Sequence, residues 1–79
     1  MCGLAGYINY QGLDSNAEEI CLAMTSKLIN RGPDDVGIWL NLEHGIALGH
    51  RRLSIQDLSS CGHQPMVSSS GRYIIVYNG

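Results

Sequence analysis

The sequence predicts an α+β fold with a largely antiparallel sheet. Residues 3–10 contain glycines and aromatic residues and end at a Gln-Gly pair, which predicts a first strand that runs into a turn. A segment with helical spacing follows, and then several short apolar segments separated by glycine-containing turns. The order strand, helix, strands is typical of α+β domains, and 79 residues leave room for one domain at most.

A helix is predicted from about Ala17 to Ile29. Ser15 is followed three residues later by Glu18, which is the pattern of a capping box. Apolar side chains then recur along one helical face, at Ala17, Ile20, Cys21, Met24 and Leu28. Pro33 cannot continue a helix, so we expect the helix to end before it.

A hairpin and a last strand are predicted in the second half of the chain. Residues 36–42 alternate aliphatic and other side chains, and residues 46–50 form a second apolar segment after the short connection 43–45. This arrangement favours an antiparallel hairpin. A serine-rich turn then precedes a strand at residues 72–77, whose apolar edge we expect to pair with further chain.

Composition excludes several classes of partner. Five basic and seven acidic residues give a formal charge of −2, and no segment collects the basic cluster that nucleic acids or anionic membranes require. No apolar run approaches the ~20 residues that span a bilayer, and no signal pattern is present, so we expect a cytoplasmic protein. The three cysteines are an odd number with irregular spacing, which predicts reduced thiols.

Cys2 is the first residue in the sequence that could take part in a chemical reaction. An ordinary cysteine is most often a small buried hydrophobe. If Met1 is removed, however, Cys2 carries both a thiol and a free α-amine, whose ordinary pKa is about 7.7–8.0. A terminal amine can activate an adjacent nucleophile, and Gly3 leaves the backbone open to a substrate. Position therefore makes Cys2 a candidate nucleophile.

A metal site could in principle use cysteine and histidine side chains. The candidate ligands are Cys21, Cys61, His50 and His63. Neither of the spacings that zinc sites usually show, C-x₂₋₄-C and H-x₃₋₅-H, is present, so we expect no metal. The simpler interpretation places Cys21 in the helix core and both histidines in loops, where they are solvated or hydrogen-bonded.

Two residue pairs each allow two interpretations. Arg51 and Arg52 either form a solvated surface or supply a clamp for a carboxylate, and only one of them can face a given pocket because neighbouring side chains leave a strand on opposite faces. Asn78 and Gly79 either form a type I′ hairpin turn or an oxyanion hole, since a carboxamide and a glycine N–H are both donors.

Five short motifs occur in order along the whole chain: Cys2 to Gly6, Arg31 to Asp34, His50 to Ile55, Gly62 to Met66, and Tyr77 to Gly79. Together they resemble the glutaminase domain of class II glutamine amidotransferases. Within that class, Arg-Gly-Pro-Asp, Arg-Leu-Ser-Ile and Gln-Pro-Met are similar to segments of glutamine-hydrolysing asparagine synthetases.

The resemblance implies a fold and a set of site residues. The fold would be part of a four-layer α/β/β/α sandwich of the N-terminal-nucleophile hydrolases. By the same resemblance, Cys2 is the nucleophile, Arg52 holds the glutamine α-carboxylate, and Asn78 and Gly79 form the oxyanion hole. The glutamine pocket would be lined by Arg52, Leu53, Ser54, Ile55 and Gln56. The motif from Arg31 to Asp34 marks the subfamily and receives no chemical role.

The function implied is hydrolysis of glutamine to glutamate and ammonia, with the ammonia passed to an ATP-dependent synthetase domain that makes asparagine. No cofactor is expected in this segment, since ATP and magnesium would belong to the synthetase domain. Expected partners are the substrate glutamine, the remainder of the same enzyme and, for the intact enzyme, a second copy as a homodimer. A different acceptor, such as a sugar or another carboxylate, stays an alternative, as does an inactive structural or zinc-binding fragment.

The chain departs from the family pattern after Gly79. In the family a glutamate normally follows the Asn-Gly pair, and a later acidic residue helps to bind the substrate amino group. Neither is present in these 79 residues. We therefore expect residues 1–79 to be the N-terminal portion of an amidotransferase domain and to be inactive alone.

Overall fold

A three-stranded antiparallel sheet forms the centre of this computed structural model, which describes residues 2–53 and 62–78. Its strands are β1 (Gly3–Ile8), β2 (Asp35–Asn41) and β3 (Ile46–Arg52), in the spatial order β1-β3-β2. β3 is therefore hydrogen-bonded on both sides, and the C-terminal end of β3 lies beside the N-terminal end of β1. The predicted α+β class with antiparallel pairing is confirmed.

The one α-helix in the described part of the chain, α1 (Ala17–Ser26), is shorter than predicted. The predicted capping box is wrong, because Asn16 is the N-cap residue and no side chain caps the helix. After Ser26 the backbone continues in tighter turns, in which the N–H groups of Leu28 and Ile29 bond to carbonyls three residues earlier. These turns end before Pro33, as predicted.

Helix α1 packs on one face of the sheet. Its buried residues Ala17, Cys21 and Thr25 recur every four positions, as the side chains on one face of a helix do. The small residues Ala47 and Gly49 of β3 allow the close approach, and a side chain at Gly49 would collide with Thr25. The predicted apolar face was thus partly right: it included Ala17 and Cys21 but omitted Thr25.

The two faces of the sheet carry different residues. Val36, Ile38 and Leu40 of β2 pair with Arg51, Gly49 and Ala47 of β3, so the aliphatic side of β2 is the side that faces α1. The predicted alternation is therefore confirmed. The opposite face carries Leu4 from β1, Trp39 from β2, and Leu48, His50 and Arg52 from β3.

A second, two-stranded sheet follows, formed by β4 (Met66–Val67) and β5 (Ile74–Ile75). The strand predicted over residues 72–77 is therefore too long, and it pairs with β4. One physical reason lies at Tyr77, whose backbone N–H and carbonyl both bond to side chains and so are not used in a strand ladder. Within the described ranges, no helix is long and apolar enough to cross a membrane.

Candidate functional site

Cys2 lies directly before β1 and beside the end of β3. Gly3 pairs with Arg51 across the two strands, so the antiparallel register brings Cys2 to the residues that follow β3. The backbone N–H of Leu53 points at the Cys2 sulfur, with a nitrogen–sulfur distance of 3.4 Å, and the Leu53 carbonyl oxygen lies 3.9 Å from the same sulfur. Two of the predicted site residues are thus in contact, although 51 positions separate them.

Arg51 and Arg52 leave β3 on opposite faces, as predicted. Arg51 donates from Nε to the carbonyl oxygen of Gly32 at 2.7 Å, on the face that carries α1. The Arg52 guanidinium lies on the other face against Gly62, where a Cβ atom would displace it. The two arginines therefore have separate surroundings, and Arg52 shares its face of β3 with His50.

The motif from Arg31 to Asp34 fastens the start of β1 to the end of β3. Arg31 donates from Nε to the carbonyl oxygen of Cys2 at 3.2 Å. Gly32 packs so tightly against the backbone of Arg51 that a Cβ atom would overlap its carbonyl group. The N–H of Asp34 bonds to the Arg52 carbonyl oxygen at 2.9 Å. The sequence assigned this motif no role; its contacts span up to 29 residues and leave no local signal.

His50 is not the loop histidine that the sequence predicted. It lies within β3 and is only 1% exposed, because it sits in the middle strand of the sheet. Its Nε2 lies 3.0 Å from the carbonyl oxygen of Tyr77, which can only accept, so Nε2 carries the proton and donates it to this bond. In the described part of the chain, His50 Nδ1 is the one buried side-chain nitrogen or oxygen atom without a hydrogen-bond partner.

The segment that contains His63 and Gln64 lies across β2 at Gly37. A Cβ atom at Gly37 would overlap the Gln64 carbonyl oxygen and would lie 2.8 Å from the His63 ring. His63 Nδ1 donates to Asp35 at 2.5 Å, at an exposed position, so its predicted hydrogen-bonded environment is confirmed. Gln64 Oε1 accepts from the backbone N–H of Tyr77 at 2.6 Å. Sequence reasoning missed both Gly37 and Gln64.

Asn78 is exposed and follows directly after Tyr77. Because Tyr77 bonds to His50, the chain before Asn78 crosses the face of β3 that also carries Arg52. The structure thus attaches the segment with the predicted oxyanion donor to the strand with the predicted carboxylate ligand. The remaining predicted residues of the site and of the metal alternative lie outside the described residues, namely Ser54, Ile55, Gln56, Gly79 and Cys61.

Two of the candidate metal ligands lie on opposite sides of the sheet. Cys21 is buried between α1 and one face of the sheet, whereas His50 projects from the other face, so the sheet separates these two candidate ligands. Burial raises the pKa of the Cys21 thiol, which is the behaviour of a core cysteine. Among residues 2–53 and 62–78, no three histidine, cysteine or acidic side chains gather into a metal-binding group.

Comparison with known proteins supports the resemblance carried by the motifs. The whole chain, residues 1–79, matches the family described as glutamine amidotransferase domain. The chain is 36% identical to asparagine synthetase 3 (glutamine-hydrolyzing) of Bacillus subtilis, with 100% of this chain and 13% of the relative covered. It is 44% identical to a putative glutamine-hydrolyzing asparagine synthetase 2 of Methanocaldococcus jannaschii, with 98% and 15% covered.

A relative with a different name also matches. The chain is 32% identical to the glutamine–fructose-6-phosphate aminotransferase of Geobacillus kaustophilus, with 100% of this chain and 17% of the relative covered. The chain therefore spans less than a fifth of the length of each of these three relatives. No solved structure matches it.

Proposed function

Because this chain belongs to the glutamine amidotransferase domain family, we propose that it carries the nucleophile and part of the glutamine pocket of a glutaminase. The reaction is hydrolysis of glutamine to glutamate and ammonia. One observation carries the proposal most directly: the Cys2 sulfur is held 3.4 Å from the backbone nitrogen of Leu53, at the end of the strand that presents Arg52. A nucleophile and a carboxylate ligand for one amino-acid substrate need this proximity.

The chemistry begins at Cys2. With Met1 removed, the α-amine of Cys2 accepts the thiol proton, through a water molecule, as the sulfur attacks the carboxamide carbon of glutamine. A new carbon–sulfur bond forms and the carbonyl oxygen becomes an oxyanion. Collapse of this intermediate breaks the carbon–nitrogen bond and releases ammonia, which takes up the proton. Water then hydrolyses the glutamyl thioester to glutamate and restores the thiol.

The other proposed site residues bind glutamine and stabilise the oxyanion. The Arg52 guanidinium pairs with the α-carboxylate of glutamine, because its planar fork matches a carboxylate, and the segment from Arg52 to Gln56 lines the pocket. The Asn78 carboxamide and the Gly79 backbone N–H donate to the oxyanion. Loss of one such donor typically lowers the rate by about 10²–10³-fold.

The ammonia is used by the rest of a longer enzyme. The names of two relatives include asparagine synthetase, which supports asparagine as the product. ATP and magnesium would then bind outside these 79 residues, in a synthetase domain that activates the acceptor. In this proposal residues 1–79 are the N-terminal portion of a four-layer α/β/β/α N-terminal-nucleophile hydrolase domain, and a homodimer of the intact enzyme stays a prediction.

A second acceptor is supported by a specific observation. The same 79 residues are 32% identical to part of a glutamine–fructose-6-phosphate aminotransferase, so the residues that release ammonia do not define its destination. Product analysis with the full-length protein separates the two acceptors. Asparagine formed from aspartate, ATP and glutamine supports the first, and an aminated sugar formed from fructose 6-phosphate supports the second.

The test of the nucleophile uses Cys2→Ala in the full-length protein. We expect this variant to lose glutamine hydrolysis while it still forms product from added ammonium, because the thiol is needed only to release ammonia. Cys21→Ala is the matched control, since that thiol is buried on the inner side of α1, whereas Cys2 precedes β1. Glutamine hydrolysis by Cys2→Ala at the parent rate would refute the assignment.

A further inference from the structure

Both backbone polar groups of Tyr77 bond to side chains. Its N–H donates to Gln64 Oε1 at 2.6 Å, and its carbonyl oxygen accepts from His50 Nε2 at 3.0 Å. A residue at the end of a strand normally satisfies these groups with a neighbouring strand or with water. Here both groups bond to side chains from distant parts of the sequence: Gln64 is 13 positions from Tyr77, and His50 is 27 positions away. The peptide groups on either side of Tyr77 are therefore held at two points.

The sheet holds the two residues, His50 and Gln64, whose side chains bond to Tyr77. His50 is 1% exposed and lies in the middle strand of the sheet, where it pairs with Leu4 on one side and Gly37 on the other. The backbone of Gln64 rests on that same Gly37, which has no side chain to keep it away. His50 and Gln64 therefore approach Tyr77 from neighbouring positions on one face of the sheet.

The hydrogen bonding of the two His50 ring nitrogens indicates why a histidine occupies this position. Its Nδ1 is buried and, within the described residues, has no hydrogen-bond partner, which is unfavourable for a polar atom. A phenylalanine would fill a similar volume without an unsatisfied atom. The single bond that the ring makes, to the Tyr77 carbonyl oxygen, is thus the evident reason for a histidine at this place.

We propose that His50 and Gln64 are positioning residues that orient the Asn78 carboxamide by clamping the backbone of Tyr77. The proposal rests on the proposed function, in which Asn78 donates to the oxyanion. His50 is two residues from Arg52 on the same face of β3, so the clamp ties the oxyanion donor to the strand that holds the substrate carboxylate. One strand then sets the distance between the two protein groups that bind opposite ends of glutamine.

This role predicts a particular kinetic signature. The oxyanion exists only in the transition state and the tetrahedral intermediate, so a misplaced donor lowers kcat and leaves KM for glutamine nearly unchanged. We expect His50→Phe and Gln64→Leu each to lower kcat by about 10- to 100-fold, which is no more than the loss of a donor itself. A general loss of structure would instead reduce the amount of active enzyme and its thermal stability.

Conservative variants separate hydrogen bonding from packing. His50→Gln keeps an N–H donor near the position of Nε2, and Gln64→Glu keeps an acceptor for the Tyr77 N–H. We expect both to retain most of kcat. His44→Phe and Gln11→Leu are the matched controls, because both residues are exposed in turns away from Tyr77, and they should leave kcat and KM at parent values.

A double-mutant cycle with Asn78→Ala, in the full-length protein, is the decisive experiment. If the clamp acts through Asn78, then His50→Phe and Gln64→Leu have little further effect once the carboxamide is gone. Full additivity with Asn78→Ala, or a rise in KM at unchanged kcat, would overturn the proposal. If His50→Phe fails to fold, Gln64→Leu still decides the matter, since Gln64 lies outside the buried core.

The outcome also distinguishes this proposal from the function on which it rests. Cys2→Ala that keeps parent glutamine hydrolysis would refute the glutaminase assignment. If Cys2→Ala and Asn78→Ala lose hydrolysis but the His50 and Gln64 variants do not, the glutaminase stands and only the clamp is refuted.

Discussion

Arg31 donates a hydrogen bond from Nε to the carbonyl oxygen of Cys2, at 3.2 Å and across 29 residues of sequence. The next residue, Gly32, accepts a bond from Arg51 Nε at 2.7 Å. Two arginines therefore fasten the segment after α1 to the two strands that meet at the candidate site. The backbone of the proposed nucleophile is held from one side by Arg31, and its sulfur contacts Leu53 on the other.

Arg31→Ala should lower glutamine hydrolysis. The variant loses a charge-assisted bond that orients the Cys2 backbone, and because this bond is exposed we expect the low end of the usual 1.5–3 kcal/mol, which is about a tenfold loss of kcat/KM. Arg31→Lys should recover part of the loss. Steady-state glutamate release by the full-length protein measures the effect.

Arg72→Ala is the control for the arginine substitution itself. Arg72 is exposed and lies over the ring of Tyr73, 5.6 Å from its centre, and it is 70 residues from Cys2 in the sequence. Parent activity of Arg72→Ala together with parent activity of Arg31→Ala would show that the Arg31–Cys2 bond does not serve catalysis.

Arg52→Ala should affect KM for glutamine, whereas Arg51→Ala should affect stability. We expect Arg52→Ala to raise KM for glutamine by about 10- to 100-fold, since a hydrogen bond to a charged group typically contributes about 1.5–3 kcal/mol. Arg51→Ala should instead lower the free energy of unfolding by about 1.5–3 kcal/mol through loss of its bond to Gly32, with KM little changed. Initial rates over a range of glutamine concentrations, together with thermal unfolding, test both. A larger KM effect at Arg51 would reverse the assignment.

Gly37→Ala should impair catalysis although the added methyl group is small. The new Cβ would overlap the Gln64 carbonyl oxygen, so residues 62–64 must move away from β2 and weaken the Gln64 bond to Tyr77. We expect kcat to fall by about tenfold or more, in line with a displaced oxyanion donor.

Gly71→Ala is the matched control for that substitution. Gly71 has a φ of 75°, and a Cβ there would meet nothing within 4 Å. The backbone strain of about 1–2 kcal/mol should appear only as lower stability, with kcat at the parent value. Equal kcat values for Gly37→Ala and the parent would contradict the importance of this close approach.

The Cys21 thiol should gain reactivity only at high pH. Burial raises its pKa above the ordinary value of 9.0, although the Thr25 hydroxyl acts in the opposite direction. A group whose folded-state pKa is raised stabilises the fold below its unfolded pKa and loses this contribution as the pH rises through the folded pKa. We expect iodoacetamide to label Cys2 well before Cys21 between about pH 7 and 9, with Cys21 labelling increasing above that range.

Peptide mapping by mass spectrometry reads each cysteine separately. In denaturing urea the protection of Cys21 should disappear, which controls for reagent access. Rapid native-state labelling of Cys21 at neutral pH would show that the thiol is not buried as the structure has it.

Residues 1–79 alone should neither fold cooperatively nor hydrolyse glutamine. In the described part of the chain, the buried hydrophobic residues are small, namely Ala17, Cys21 and Ala47, while Ile8 and Tyr77 are each 61% exposed. So little buried apolar area does not offset the entropy of ordering the chain. Calorimetry and a glutamate-release assay on the isolated peptide test this together: a sharp thermal transition with measurable glutamate release would contradict it.

Local patterns in the sequence determine much of the fold of this protein. Alternation along residues 36–42 predicted a strand with one aliphatic side, which is the side that faces α1, and the order of segments predicted the α+β class. The two-residue period of a strand also separated Arg51 from Arg52. Each of these properties depends on neighbours within a few positions, which is the range that sequence periodicity reports.

Only the tertiary structure decided which distant residues meet. Nothing local distinguishes Arg31 from any exposed arginine, because its bond to Cys2 depends on how the chain after α1 passes the start of β1. The sequence placed His50 at the end of an apolar segment, beside a polar loop, and only the pairing of β3 with a strand on each side buried it. The bonds of His50 and Gln64 to Tyr77 form only once three separate segments lie on one face of the sheet. Such contacts are products of register and loop path, and no periodic pattern in the sequence encodes them.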